Sequence, residues 1–275
     1  MRLILLTVLT MIAFAANSVL NRLALSDGAM GPAAFAAIRL VSGAVMLSGL
    51  VLVSGRGLRP FTPGRWRGVL TLAVYMLGFS FAYVSLPAGL GALLLFGGVQ
   101  VTMFAGAVVG GESVPLRRWL GAGVAFAGLV WLLWPSGTAA PPLVPALLMA
   151  AAALGWGLYS LVGRGVSDPL QSTAANFVLA APLALALFAL SPDQISPQGA
   201  VLAVVSGAVT SGLGYALWYL ILPKLGASKA AVAQLTVPII AMAGGMAFLA
   251  EPLTARFTIA ALLVLGGVGL SLTRR

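Results

Sequence analysis

Phe14-Ala15-Ala16-Asn17-Ser18-Val19-Leu20-Asn21-Arg22 lines up with Trp156-Gly157-Leu158-Tyr159-Ser160-Leu161-Val162-Gly163-Arg164, 142 positions later. Both stretches run from an aromatic residue through small, apolar and polar positions to an arginine. Two further pairings keep the same order along the chain. Phe79, Tyr83 and Pro87 match Tyr215, Tyr219 and Pro223 at an offset of 136. Glu112 matches Glu251 at an offset of 139, and the segments that follow end in Gly128-Leu129-Val130 and Gly267-Val268-Gly269-Leu270. Shared order at nearly constant offset reads as an old internal duplication, with repeat one at 1–137 and repeat two at 138–275.

The sequence around the repeat belongs in lipid. Of 275 residues, 61% are hydrophobic and 7% charged, with mean hydropathy +1.09, whereas soluble domains carry ~25% charged residues. A span across the ~30 Å hydrocarbon core needs about 20 apolar residues. Ten segments qualify: Leu3–Leu20, Gly31–Val53, Gly68–Leu86, Ala88–Val109, Trp119–Trp134, Leu143–Val162, Ser172–Leu190, Gly199–Leu222, Ala227–Leu249 and Phe257–Leu272. They predict an all-α membrane protein, a single transmembrane domain over 1–275 with no room for a soluble domain. The Leu86-Pro87-Ala88 junction predicts a tight hairpin of the third and fourth helices. Arg2 and the Ala13-Phe14-Ala15 triplet resemble a signal peptide with its cleavage site. The apolar run continues to Leu20, however, and removing it would cost the repeat a helix, so it reads as the first span.

Five spans per repeat is an odd number, so the two repeats lie in opposite orientations. Inverted repeats recur in secondary transporters, where the substrate site sits near the midplane at the repeat interface. Charge sets the orientation. With the N-terminus in the cytoplasm, twelve arginines and lysines fall on cytoplasmic segments and two, Arg22 and Arg256, fall outside, a strong positive-inside bias. Both termini are therefore expected in the cytoplasm. The net charge of +10 is explained by this bias and not by nucleic acid.

Several chemistries lack their residues. With no Cys and no His, there is no disulfide, thiolate nucleophile, Ser–His pair or imidazole-held metal. The five carboxylates, Asp27, Glu112, Asp168, Asp193 and Glu251, all fall in loops or at helix ends, which disfavours an intramembrane aspartyl protease or a carboxylate proton relay. The expectation is a non-enzyme without cofactor or metal.

The pattern resembles EamA-type members of the drug/metabolite transporter superfamily. The resemblance rests on the 5+5 layout, the Gly110-Gly111-Glu112 and Ala250-Glu251-Pro252 signatures, Thr236-Val237-Pro238, and Arg39 after the small-residue run Ala36-Ala37-Ile38. It covers essentially the whole chain and is most like YddG-type exporters of aromatic and other amino acids. It implies a basket of helices around a central cavity. One departure is Val99 in the first half where the second has Pro238.

Arg39 is the one ionisable side chain well inside a span. Placing Arg at a helix centre costs ~2.5–3.5 kcal/mol on insertion scales, so it should face a cavity or a partner. Either it attracts a substrate carboxylate or it is structural, bonded to carbonyls and helix ends. Tyr75, Phe79 and Tyr83 form a stripe on the third helix, and Tyr215, Trp218 and Tyr219 form one on the eighth. The cavity wall fits Tyr75, Phe79, Tyr215, Trp156 and Tyr159. For Tyr83, Trp218 and Tyr219, near helix ends, the interfacial aromatic belt is favoured, with Tyr83 and Tyr219 also candidate gates. Gln100, central in its helix, fits cavity lining as well as an interhelical bond. Asn17, Asn176 and Gln234 are the other amides within spans. Pro182 and Pro238 are candidate hinges, because each frees a carbonyl and bends its helix. Close helix approach is expected at Gly106-xxx-Gly110.

The function expected is a bacterial inner-membrane secondary transporter that exports amino acids, aromatic and other neutral ones with broad specificity, by alternating access. Its partners are the small-molecule substrate and the bilayer, and it acts as a monomer. One alternative is an exporter of drugs or other small metabolites. Another, of a different class, is a membrane scaffold subunit without transport activity.

Overall fold

The computed structural model describes residues 1–111, 114–134, 141–164 and 166–272, with only the backbone of 226–229, 231–232 and 272. All regular structure among them is helical. In order come α1 (Arg2–Leu25), α2 (Pro32–Val53), α3 (Arg65–Ala82), α4 (Ala88–Val109), α5 (Leu116–Leu133), α6 (Leu143–Val162) and α7 (Pro169–Leu190). Then α8 (Pro197–Val204), a π-helical stretch (Val205–Leu213) and α9 (Gly214–Gln234) follow without a break, before α10 (Val237–Leu249) and α11 (Ala255–Leu272). Seven of the helical runs are long and apolar enough to cross a membrane, and Val237–Leu249 and Ala255–Ser271 are shorter apolar helices. Proline starts several helices, with Pro32, Pro169 and Pro197 in their first turns, where its missing N–H costs nothing. Leucines, valines and phenylalanines such as Val45, Leu154 and Phe248 stay exposed on the outside of the bundle, as lipid-facing positions do.

Loop contacts sort the helix ends onto two opposite faces. On one face, Asp193 accepts from the Ala33 and Ala34 amides at 2.8 and 2.9 Å, and Gly31 N–H donates to Gln194 at 2.8 Å. On that face also, Arg22 holds the end of α3 and Arg256 donates to the Trp131, Leu132 and Trp134 carbonyls at the end of α5. On the other face, Arg56 pairs with Asp168 at 3.0 Å, and Arg65 bonds Ser172. The start of α2 thus lies at the end of α7, and the start of α11 at the end of α5. Both pairs are antiparallel, and α5 and α11 meet through glycines, Gly121 and Gly128 facing Ser271 and Val264.

The predicted hairpin of the third and fourth helices is corrected. The connection from Ala82 to Ala88 is short, but α3 and α4 splay apart and α6, from the other half, packs against both. In the same way α1 packs against α8, the π-helical stretch and α9 on one side and α10 on the other. Each first helix of a half is wedged into the opposite half.

The eighth and ninth predicted segments also differ from their expected bounds. Helix continues through Pro223 to Gln234, and the interruption falls at Leu235–Thr236. Pro238 explains the position: it has no N–H for the Gln234 carbonyl, and its ring crowds that carbonyl. Thr236 Oγ1 meanwhile donates to Ala233 O at 2.7 Å. Glu112, Pro135, Ser136 and Gly137 lie outside the described residues.

Candidate functional site

Arg39 is completely buried, seven residues into α2. Its Nε donates to Ser211 Oγ at 3.2 Å and its Nη2 to the Tyr75 hydroxyl at 3.3 Å. The guanidinium carbon lies 4.9 Å from the centre of the Phe79 ring and 5.7 Å from that of Tyr75. Its Nη1 is buried and has no hydrogen-bond partner. A buried, always-charged group with one donor unsatisfied is costly unless something completes it.

Aromatic rings wrap this charge. Trp156 sits 4.9 Å from Tyr75 and 5.1 Å from Tyr215, and Tyr159 stacks on it at 5.5 Å. The Tyr215 hydroxyl donates to that of Tyr75 at 3.4 Å. Phe14 closes one side against Tyr215 and Trp218, and Phe177 packs edge-on to Tyr215. Phe14, Asn17, Tyr75, Phe79, Trp156 and Tyr215 line a cleft with Leu95 and Phe96 of α4. The room inside is about 10 Å³, at the threshold for a single water molecule. The cluster is closed, and an organic solute enters only if these helices part.

Ser211, the second hydroxyl partner of Arg39 beside Tyr75, was not singled out in the sequence. Ser206, Thr210 and Ser211 all donate to Asn17 Oδ1, at 2.9, 2.6 and 3.3 Å. An α-helix would stack position 210 over 206 and turn 211 aside. The π-helical turn bonds i to i+5, so 211 joins the same face and reaches both Asn17 and Arg39. Glycine permits this, because a Cβ on Gly207 would collide with Ser42 and the Arg39 carbonyl. π-Helical turns are frequent at functional sites. The signal in the sequence is three hydroxyls at 206, 210 and 211, interleaved with Gly207 and Gly212 in an otherwise apolar run.

Of the sequence-predicted cavity residues, Arg39, Tyr75, Phe79, Trp156 and Tyr215 come together, with Tyr159 one layer behind. Tyr159 donates to Thr173 Oγ1 at 3.4 Å and accepts from Asn176 Nδ2 at 3.2 Å. Gln100 is only partly buried and lies outside the cleft lining. The belt reading of Tyr83 and Trp218 is corrected: Tyr83 is fully buried, its hydroxyl donating to Ala88 O at 3.2 Å, and Trp218 is buried against Phe14. Tyr219 is partly buried. Pro182 faces outward from α7, whereas Pro238 is buried at the start of α10, beside the helix interruption.

The face that bears Arg22 carries a second polar cluster. Both Glu251 oxygens accept from Ala88 N–H, at 2.9 and 2.8 Å, capping α4. Arg22 Nε lies 3.7 Å from Glu251, while its Nη1 donates to the Tyr83 and Val84 carbonyls. Burial pushes the Glu251 carboxyl above its ordinary range, opposed by the Ala88 amide, the Arg22 guanidinium and the Gly89 amide. Arg256, on the same face, is engaged at the end of α5.

Comparison with known proteins fits this architecture. An uncharacterized protein of Pseudomonas aeruginosa is 49% identical over 278 residues, covering all of this chain and 96% of its own. An uncharacterized transporter of Archaeoglobus fulgidus is 26% identical over 216 residues, covering 76% of each chain. A solved crystal structure at 22% identity shares the fold, with TM-score 0.68 over 96% of this chain and 97% of its own. The sequence model of the EamA-like transporter family matches residues 1–134 and again 143–273. The chain is a multi-pass membrane protein that belongs to the EamA-like transporter family, in the drug/metabolite transporter superfamily.

Proposed function

We propose that this protein is an inner-membrane secondary transporter that exports amino acids, aromatic and other neutral ones, by alternating access. The observation that carries the reading is Arg39: a fully buried guanidinium whose Nη1 has no partner, beside a cleft walled by Phe79, Tyr75, Trp156 and Tyr215. A carboxylate is the group that completes such a donor, and the rings suit an apolar or aromatic side chain. Arg39 therefore serves as the carboxylate anchor, with Asn17 and Ser211 holding its orientation.

Ten spans in two inverted five-helix repeats, with both termini cytoplasmic, provide the frame. The repeat is supported by the family model matching each half, by the antiparallel α2/α7 and α5/α11 pairs, and by the reciprocal wedging of α1 and α6. The closed cleft is the occluded state of the cycle, opened to either side by movement of one repeat against the other. Export of cationic drugs is the weaker alternative. Asp27, Asp168, Asp193 and Glu251 all lie between helices or at their ends, so none of them stands in the cleft to meet a cation. Radiolabelled phenylalanine, leucine and glycine counterflow in proteoliposomes tests the reading, and absence of exchange for every amino acid in folded protein refutes it.

A further inference from the structure

A groove of about 640 Å³ opens on the flank of the bundle, between the segment 60–63, the start of α3 and the middle of α7. Its walls are Phe61, Trp66, Val69, Leu70, Leu179 and Leu183, and Phe61, Trp66, Leu70 and Leu183 are exposed. Leu179 and Leu183 stand ten and fourteen residues past the start of α7, or ~15 and ~21 Å along its axis at 1.5 Å per residue. Half of the hydrocarbon core is about 15 Å. The groove therefore runs from a helix end to about the bilayer midplane, the depth reached by one acyl chain.

The mouth of the groove is cationic. Arg65 lines it, with Nη1 on Ser172, Nη2 on the Arg59 carbonyl, and a buried Nε that has no partner. Arg59 and Arg67 are exposed beside it, and the Arg67 guanidinium sits 5.5 Å from the Trp66 ring. Among the described residues the one carboxylate on this face is Asp168, already engaged by Arg56 and by the Gln171 amide. Among the described residues, the three positive charges at the mouth thus have no carboxylate partner.

We propose that this groove is a binding site for a glycerophospholipid with an anionic headgroup, its acyl chain lying against Leu179 and Leu183 and its phosphate at Arg59, Arg65 and Arg67. The apolar walls accept any lipid chain, and the arginines select the headgroup. On the positive-inside orientation this is the cytoplasmic leaflet, whose anionic lipids attract such clusters. The groove shares no lining residue with the cleft beside Arg39.

Trp66 is a reporter inside the site. Purified protein is titrated with phosphatidylglycerol or phosphatidylcholine brominated on the acyl chain, which quenches tryptophan on contact. The Trp66 component is taken as the difference from Trp66→Phe. Phosphatidylglycerol is expected to reach half-quenching at about fivefold lower mole fraction than phosphatidylcholine. The difference should shrink at high salt and shrink in Arg59→Gln/Arg67→Gln, which leaves Arg65 as the one arginine at the mouth. Equal quenching by the two lipids in the unmodified protein overturns the proposal, as does a preference that the double substitution leaves unchanged.

Discussion

Thr210 Oγ1 lies 2.6 Å from Asn17 Oδ1, across 193 positions of sequence. This bond joins the first helix to the π-helical stretch, and the same Asn17 oxygen accepts from Ser206 and Ser211. Because Ser211 also accepts from Arg39 Nε, one amide sets the register that orients the buried charge. Asn17→Asp keeps an acceptor for all three hydroxyls while adding a negative charge next to the Arg39 network. The variant is expected to remain folded by size exclusion and to lose amino acid counterflow, since its own carboxylate now satisfies Arg39. Unchanged counterflow would separate Asn17 from the site.

Arg39→Ala should reduce transport more than it reduces folded yield. Loss of a charged hydrogen bond to substrate corresponds to about tenfold or more in affinity. Arg39→Lys keeps the charge but cannot hold Ser211 and Tyr75 with the same fork, so an intermediate rate is expected. Counterflow normalised to monodisperse protein measures both, and an aggregated Ala variant beside a fully active Lys variant would make the residue structural.

The chain has no cysteine, so single cysteines report topology cleanly. Gly57 and Ile195 lie on the two opposite faces of the bundle, each in an exposed segment between helices. Gly57→Cys is expected to label from the cytoplasm and Ile195→Cys from outside. Labelling of both from one side contradicts the proposed orientation.

Glu251 supplies a pH dependence whose sign is fixed. Its carboxyl is raised above the unfolded value, chiefly by burial, so the folded protein binds the proton more readily than the unfolded chain. The stability it contributes is therefore greatest below the unfolded pKa and is lost as pH rises through the folded one. Thermal unfolding should show the unmodified protein gaining on Glu251→Gln as pH falls from neutral into the carboxylate range. Glu251→Ala removes the cap on α4 and is expected to cost about 1 kcal/mol at neutral pH. A gap that widens toward alkaline pH in favour of the unmodified protein would refute the assignment.

Transport is expected to be independent of a proton gradient. A proton-coupled carrier needs a group in the span that changes charge in the working range, and this chain has no histidine, while its described carboxylates lie between helices or at their ends. Proteoliposomes with an imposed pH gradient should show no uphill accumulation of amino acid. Accumulation abolished by a protonophore would direct attention to the carboxylates, Glu251 first.

The sequence alone carries the lipid solvent and the all-helical class, because these follow from composition and hydrophobic run length, which are local or additive. It also marked Arg39, since a lone charge in an apolar run is conspicuous wherever the helix lands, and it picked out Tyr75, Phe79, Trp156 and Tyr215 by their place on apolar helices. Which of these rings meet, and which proline faces inward, depended on helix rotation and crossing. Tyr83 went from a membrane-belt candidate to a buried hydrogen bond on Ala88, and Pro182 went from hinge candidate to the outer surface of α7. The π-helical register at Val205–Leu213 was decided by tertiary structure alone. Isolated, that run would take the better-packed α-helix. Three hydroxyls can share Asn17 only when the opposite helix is present to accept them, and Gly207 can seat the widened turn only against the backbone of Arg39.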